Sequence, residues 1–297
     1  RRQRQRCIRD RINRVYVDRV HVKKAFAEYT AAYNADDPKI KLKIDHTYRV
    51  AALCERIAKA AGMCAYDVEL AWLSGMLHDV GRFEQIKRYN TFSDADSVDH
   101  AKFGADLLFK DGLISTFLKG MVKCTGYKPG ALEDRYDSDG VFLYDRLNKS
   151  DMEMLELAIR CHNMYRIPQG LNCREQAFCN VLRDADKVDI FKVNIDTPLE
   201  EIYNTTTEEL MKSDITDEVL EAFDEEHCIL KAIRRTPADT VIGHVSLAYE
   251  LVYDESVRIT VEQGYLAKLM HFHSDNEETN RKMAMVREKM DSYVKKR

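Results

Sequence analysis

Six residues with metal-binding side chains occur in a defined order along the 297-residue chain. Imidazole and carboxylate groups are the ligands that first-row transition metals prefer. Six of them can hold two metal ions, with one carboxylate shared between the ions. The order H…HD…H…H…D therefore predicts a centre of two divalent transition metal ions, Fe, Mn or similar. The six candidate ligands are His46, His78, Asp79, His100, His162 and Asp186.

Helical periodicity predicts that these side chains point inward from five helices. The helices are predicted over residues 45–61, 67–80, 97–109, 151–163 and 174–193. His46, for example, precedes Val50 by one helical turn on an apolar stripe. A single inward histidine is more often an ordinary core residue, but core packing gives no reason for a polar residue on every apolar stripe. A buried ionised carboxylate such as Asp186 would also be very costly without a cation beside it.

Small residues around the His78-Asp79 pair predict close helix packing. Ser74 and Gly75 would let a neighbouring helix approach, as a metal cage requires, although a glycine inside a helix costs about 1 kcal/mol relative to alanine. Gly81 is predicted to stop the helix that carries His78.

These residues resemble the HD-domain superfamily of metal-dependent phosphohydrolases, in its two-metal type. The resemblance covers about Lys43 to Asn194 and is strongest in LSGMLHDVGRFEQ, AIRCHN and LRDADKVDIF. It implies that Asp79 is the bridging carboxylate. The bacterial symmetrical dinucleoside tetraphosphate hydrolases of this superfamily have a similar six-ligand order. The resemblance places the family's four-ligand signature on His46, His78, Asp79 and Asp186, and the additional histidines of two-metal members on His100 and His162.

Two subtypes of the superfamily fit less well. The cyclic-di-GMP phosphodiesterases of the HD-GYP type have two successive histidines where this chain has His162-Asn163, and their GYP motif is absent. The alarmone hydrolases place an acidic pair after the HD motif, where this chain has Val80-Gly81-Arg82. Triphosphohydrolases of deoxynucleotides tend to be longer and to form large oligomers, but a distant relationship to them stays open.

The chemistry expected of two such metals is phosphoester hydrolysis. Two metals about 3.5 to 4 Å apart can bridge a hydroxide and bind the phosphoryl oxygens on which charge accumulates. The sequence therefore predicts a phosphohydrolase that cleaves a phosphomonoester or phosphodiester bond of a nucleotide, with a metal-bridging hydroxide as nucleophile. The alternative is a diiron oxygenase that acts on a polyol or phosphonate, because the superfamily includes such members. A regulatory nucleotide-binding domain without turnover is disfavoured by the complete ligand set.

Fixed positive charge near the metals should stabilise the transferring phosphoryl group. Arg82, three residues after Asp79, and Lys187, directly after Asp186, are the candidates, and with Asp79 they form the predicted catalytic set. An ordinary charge at a helix end is the alternative for Arg82, and a salt bridge to a neighbouring aspartate is the alternative for Lys187. The predicted substrate contacts are Arg49, Arg82, Lys187, Tyr127 and Lys128, the last two in a Gly-, Pro- and Asp-rich segment that could form a lid.

Composition favours an all-α fold, an HD-domain helical bundle with additional N- and C-terminal helices. The chain has 5 prolines, 12 glycines and few runs of alternating hydrophobicity. The predicted organisation is a basic N-terminal helical extension over 1–42, a phosphohydrolase core over 43–194 and a C-terminal helical layer packed on the core over 195–297.

Charge and cysteine usage narrow the expected partners. A net charge of −4 gives no reason to expect a nucleic-acid surface, so the expected partner is a small phosphorylated substrate, with a homodimer as an open alternative for the C-terminal layer. No 20-residue apolar run predicts a membrane span. The eight cysteines lack CxxC pairs, which favours reduced thiols in the cytoplasm.

Overall fold

Helices dominate the chain, and the predicted all-α class is confirmed. The computed structural model describes residues 14–34, 36–118, 122–125, 142–144, 147 and 149–297. It divides into two units, Arg1–Leu182 and Arg183–Arg297.

The first unit holds seven described helices of its own and the first part of an eighth. Three of them begin at an aspartate, because Asp18, Asp37 and Asp99 each accept a hydrogen bond from a backbone amide of the first turn. A π-helical turn, Asp106–Lys110, continues the fifth helix. The helices are α1 Arg19–Thr30, α2 Pro38–Ala60, α3 Ala65–Leu77, α4 Val80–Tyr89, α5 His100–Ala105, α6 Ile114–Leu118, α7 Lys149–Cys161 and α8 Cys173–Asp196.

A small antiparallel sheet accompanies these helices. Its strands are β1 Arg14–Val17, β2 Val122–Thr125 and β3 Phe142–Tyr144, in the order β1-β2-β3. The sequence pattern does not predict this sheet. Because β1 lies within residues 1–42, the predicted N-terminal extension is not helical throughout.

Two glycines set the spacing of the helices around the HD pair. A Cβ atom on Gly75 would lie 2.6 Å from the Cα of Ala51, so the predicted close approach of a neighbouring helix at Gly75 is confirmed. The prediction that Gly81 stops a helix is wrong, because α3 ends at Leu77 and Gly81 lies inside α4. A Cβ atom on Gly81 would lie 2.7 Å from the backbone nitrogen of Gly104. Gly81 therefore serves the close contact of α4 with α5.

The second unit is a series of shorter helices that follow α8. None of the helices in the described ranges is long and apolar enough to cross a membrane. The domain boundaries predicted between residues 42 and 43 and between residues 194 and 195 stay predictions. The remaining helices are α9 Leu199–Tyr203, α10 Thr207–Lys212, α11 Asp217–Asp224, α12 Pro237–Val245, α13 Asp254–Gln263, α14 Tyr265–Met270 and α15 Glu277–Lys296.

Candidate metal centre

The carboxylate of Asp79 lies between two pairs of histidines in the first unit. Its Oδ2 atom is 3.6 Å from Nε2 of His46 and 3.5 Å from Nε2 of His78. Its Oδ1 atom is 3.5 Å from Nε2 of His100 and 3.8 Å from Nε2 of His162. Each carboxylate oxygen thus faces one pair of imidazoles, and the two groups His46-His78-Asp79 and Asp79-His100-His162 each have the spacing of a metal site.

Five separate helix positions bring these ligands together. His46 lies in the interior of α2, and His78 is the residue that caps the C-terminus of α3. Asp79 precedes the first residue of α4, and His100 is the first residue of α5. His162 directly follows the end of α7. All five side chains are buried, so the inward orientation predicted from helical periodicity is confirmed for the four histidines.

The outer nitrogen of two ligand histidines is held by backbone. Nδ1 of His78 donates to the carbonyl oxygen of Gly75 at 2.8 Å, and Nδ1 of His162 donates to that of Ile159 at 2.7 Å. A neutral imidazole that keeps its proton on Nδ1 presents an unprotonated Nε2. Both side chains therefore direct a lone pair at Asp79, as metal ligands must.

His100 is oriented by a carboxylate. Its Nδ1 donates to Oδ2 of Asp94 at 2.7 Å, so its Nε2 also carries a lone pair. That Nε2 lies 3.0 Å from Nε2 of His162. Two lone pairs at this distance repel each other unless a cation binds both of them. The donor set therefore fits a metal ion.

Two basic side chains contact the shared carboxylate. Lys43 Nζ lies 2.7 Å from Oδ2 of Asp79, and Arg82 Nε lies 3.8 Å from Oδ1. Burial alone would raise the pKa of Asp79, but its electrostatic interactions with Lys43, His78, His100 and Arg82 outweigh this effect and hold this pKa well below its usual range. Asp79 is therefore ionised at neutral pH.

Burial also acts on His100. It lowers the pKa of the imidazole to about 4, with a further contribution from the charge of Arg82, although the hydrogen bond from Nδ1 to Asp94 opposes the shift. His100 is thus neutral at pH 7 and able to bind a metal. The pKa of Asp94 is lowered, because hydrogen bonds from His100 and the charge of Arg82 outweigh the effect of its burial.

Arg82 lies beside the predicted centre, and its guanidinium is hydrogen-bonded to three residues of the first unit. Its Nη1 donates to Oε1 of Gln85 and to the carbonyl oxygen of Phe92, each at 2.7 Å, and to Oδ1 of Asp94 at 2.9 Å. Arg49 lies on α2, three residues after His46, and is partly exposed. The predicted contacts of Arg82 and Arg49 with the substrate stay predictions.

Four predicted site residues are not among the described residues of the first unit. Asp186 and Lys187 are on α8 in the second unit, where Asp186 is partly exposed and Lys187 is 8% exposed. Burial lowers the pKa of Lys187 to about 8, aided by the charge of Arg183 and opposed by three carboxylates of the same unit. Tyr127 and Lys128 lie outside the described residues.

Sequence reasoning missed two residues that touch the centre. Lys43 is one helical turn before His46, so the helical period could have placed it there, but a lysine on an amphipathic helix is usually a solvated charge. Asp94 lies in the loop between α4 and α5, where no periodicity indicates direction. Its spacing of six residues from His100 is not a helical spacing.

Comparisons with known proteins identify the family of this chain. No curated protein matches this chain. One similar solved structure is a predicted HD superfamily hydrolase from an uncultured Thermotogales bacterium, at 24% identity over 57% of this chain and 68% of that one, with a TM-score of 0.33. The family model of the HD domain matches residues 44–295, well over half of the sequence. This chain therefore belongs to the HD domain family.

Proposed function

We propose that this protein is a metal-dependent phosphohydrolase with two divalent transition metal ions, Fe, Mn or similar. The observation that carries the proposal is the carboxylate of Asp79, because each of its oxygens faces a different pair of histidine Nε2 atoms. One metal position would be formed by His46, His78 and Oδ2 of Asp79. The other would be formed by His100, His162 and Oδ1.

Two metals held in this way would supply activation of a water molecule and charge stabilisation for a phosphoryl group. The protein's own residues supply the rest. Backbone carbonyls hold the rings of His78 and His162, and Asp94 holds that of His100. The buried ring of His100 stays neutral at pH 7, because its pKa is lowered to about 4, and it remains available as a ligand.

Positive charge beside Asp79 supports a phosphorylated substrate. The side chains of Lys43 and Arg82 are only 17% and 14% exposed, so their charges are weakly screened by water. Cations in such positions stabilise the negative charge that develops on a transferring phosphoryl group. We propose a phosphomonoester or phosphodiester of a nucleotide as the substrate. The remaining proposed contributors are Arg49, Tyr127, Lys128, Lys187 and the sixth ligand Asp186.

The first test measures metal content together with phosphate release. The purified protein is reconstituted with Mn²⁺ or Fe²⁺ without oxygen and assayed on a panel of nucleotides and phosphoesters. About two metals per chain with anaerobic phosphate release is the expected result. Iron binding without phosphate release, with O₂ consumed on a polyol or phosphonate, would contradict hydrolysis and favour the oxygenase.

Substitution variants connect the activity with the centre. His78→Ala should lose the metal at the position of His46 and His78, together with the activity, because His78 is fully buried and directs its Nε2 at Asp79. His271→Ala is the matched control, since His271 is exposed and lies in the second unit. Binding of two metals by His78→Ala would show that the centre is not where we place it.

A further inference from the structure

Asp94 joins four hydrogen-bond donors from three parts of the first unit. Its Oδ2 accepts from Nδ1 of His100 at 2.7 Å and from Nδ2 of Asn163 at 3.3 Å. Its Oδ1 accepts from Nη1 of Arg82 at 2.9 Å and from Nε2 of Gln85 at 3.0 Å. One carboxylate thus contacts a metal ligand, the residue after another metal ligand and a cation beside the centre.

Only a carboxylate satisfies all four partners. A guanidinium and a side-chain amide nitrogen can only donate, and Nδ1 of His100 must donate if Nε2 is to bind a metal. An asparagine in place of Asp94 would turn an NH₂ group toward two of these donors. The position therefore requires negative charge and two accepting oxygens, rather than merely a polar side chain of this size.

The loop that carries Asp94 is held in place by a buried glutamine. Gln85 is fully buried, and its Nε2 also donates to Oγ of Ser97 at 2.8 Å and to the carbonyl oxygen of Val98 at 3.0 Å. Its Oε1 accepts from Arg82 at 2.7 Å. Asp94 therefore has little freedom to move away from His100.

Resting on the dinuclear centre proposed above, we infer that Asp94 is a positioning residue for one metal position, the one formed by His100, His162 and Oδ1 of Asp79. A carboxylate that accepts from the outer nitrogen of a ligand histidine fixes the tautomer and raises the basicity of the metal-binding nitrogen. His78 and His162 have backbone carbonyls in the equivalent place. Loss of Asp94 would therefore act on one metal position and spare the position of His46 and His78.

The experiment compares Mn²⁺ binding to the wild type and to Asp94→Asn by titration calorimetry. Removal of a partner of this kind typically weakens metal binding by about 10- to 100-fold. The expected result is that one of two metals binds about 10- to 100-fold more weakly while the other binds as in the wild type. Asp96→Asn is the matched control, because Asp96 is exposed in the same loop and should leave both affinities unchanged.

Two more variants assign the loss to the intended position. His100→Ala should weaken the same single metal, and the double variant Asp94→Asn/His100→Ala should lose little beyond His100→Ala alone, because both changes act on one ligand. Asp94→Ala removes the carboxylate without adding an amide donor. It carries the same expectation and covers the case in which Asp94→Asn does not fold, as circular dichroism would reveal.

The outcomes separate the inference from the proposed function. Two metals with wild-type affinities in the folded Asp94 variants would overturn the role of Asp94 alone. Equal weakening of both metals would also overturn it, because the proposed effect is confined to one position. A wild type that binds no metal would overturn the proposed centre and the inference together.

Discussion

Replacing Gly81 by alanine is expected to separate α4 from α5 and to displace His100. The added Cβ atom would come closest to the carbonyl oxygen of His100. It would also lie 2.7 Å from the backbone nitrogen of Gly104 and 2.9 Å from its Cα, whereas ordinary contact begins at 3.4 Å. The opposing atoms are backbone atoms and cannot rotate away. The two helices must therefore move apart by about 1 Å, because protein interiors leave no spare space for a methyl group.

The expected cost follows from this displacement. Overpacking typically costs about 1–3 kcal/mol, and the better helix propensity of alanine recovers at most about 1 kcal/mol. We expect a net loss of about 1–2 kcal/mol in the free energy of unfolding. His100 begins α5 and its Nε2 lies 3.5 Å from Asp79. Since misplacement by about 1 Å can reduce a rate about 100-fold, activity should fall by about 10- to 100-fold.

Urea unfolding of the metal-free protein and a Mn²⁺ titration measure the two effects. Gly104→Ala is the matched control, because its Cβ would meet the same pair of helices at 2.9 Å from the nitrogen and 3.3 Å from the Cα of Gly81. It should show the same defects in a milder form. Wild-type stability and metal binding in Gly81→Ala would refute the conclusion that this close approach positions His100.

Three other changes have defined expected results. Asp79→Asn should abolish binding of both metals in a Mn²⁺ titration, because the two positions share this carboxylate, and loss of only one metal would argue against a bridge. Lys43→Met should strengthen metal binding about 5-fold, since a cation near a bound metal costs about 1 kcal/mol, yet lower kcat/KM for a phosphorylated substrate; unchanged values of both would exclude a role for Lys43. Burial lowers the pKa of His244 to about 3, with further contributions from Arg234 and Lys231. The unfolded chain takes up this proton below about pH 6.5, so stability is lost as the pH falls from there towards 3. At pH 5 the loss in the free energy of unfolding is at most about 2 kcal/mol, and partial exposure of the ring reduces it. This loss should be absent in His244→Phe. Equal pH dependence of urea unfolding in the wild type and in His244→Phe would contradict this assignment.

Sequence periodicity predicted the direction of the ligand side chains better than it predicted helix ends. The four histidines are found buried around Asp79, because a polar residue on an apolar stripe has only one direction available. The helix of His100 was predicted to begin at residue 97 and begins at His100, since the side chain of Asp99 caps it. Gly81 was misread because a glycine that ends a helix and one that admits a neighbouring helix look alike in a sequence.

Local sequence patterns do not predict which distant strands pair with each other. Strands β1 and β2 pair Arg14 with Thr125 and Val17 with Val122, and four-residue strands more than 100 residues apart leave no periodic signal. The role of Asp94 was not predicted for a related reason, because the course of a loop determines which residues it contacts. Local chemistry identified the ligands, whereas the residues that orient the ligands required the fold.

The charge around Asp79 bears on the choice between hydrolase and oxygenase. Two divalent ions with Lys43 and Arg82 would bring six positive charges to the part of the centre formed by the first unit. The carboxylates of Asp79 and Asp94 oppose them there, and nearby Asp99 is already paired with Lys102. A phosphate ester brings negative charge into this field, so its binding would be favoured, whereas a neutral polyol brings none. Calorimetric titration of the metal-loaded protein with inorganic phosphate and with myo-inositol separates the two. Binding of phosphate but not of the polyol is expected, and binding of the polyol but not of phosphate would refute the proposed effect of charge.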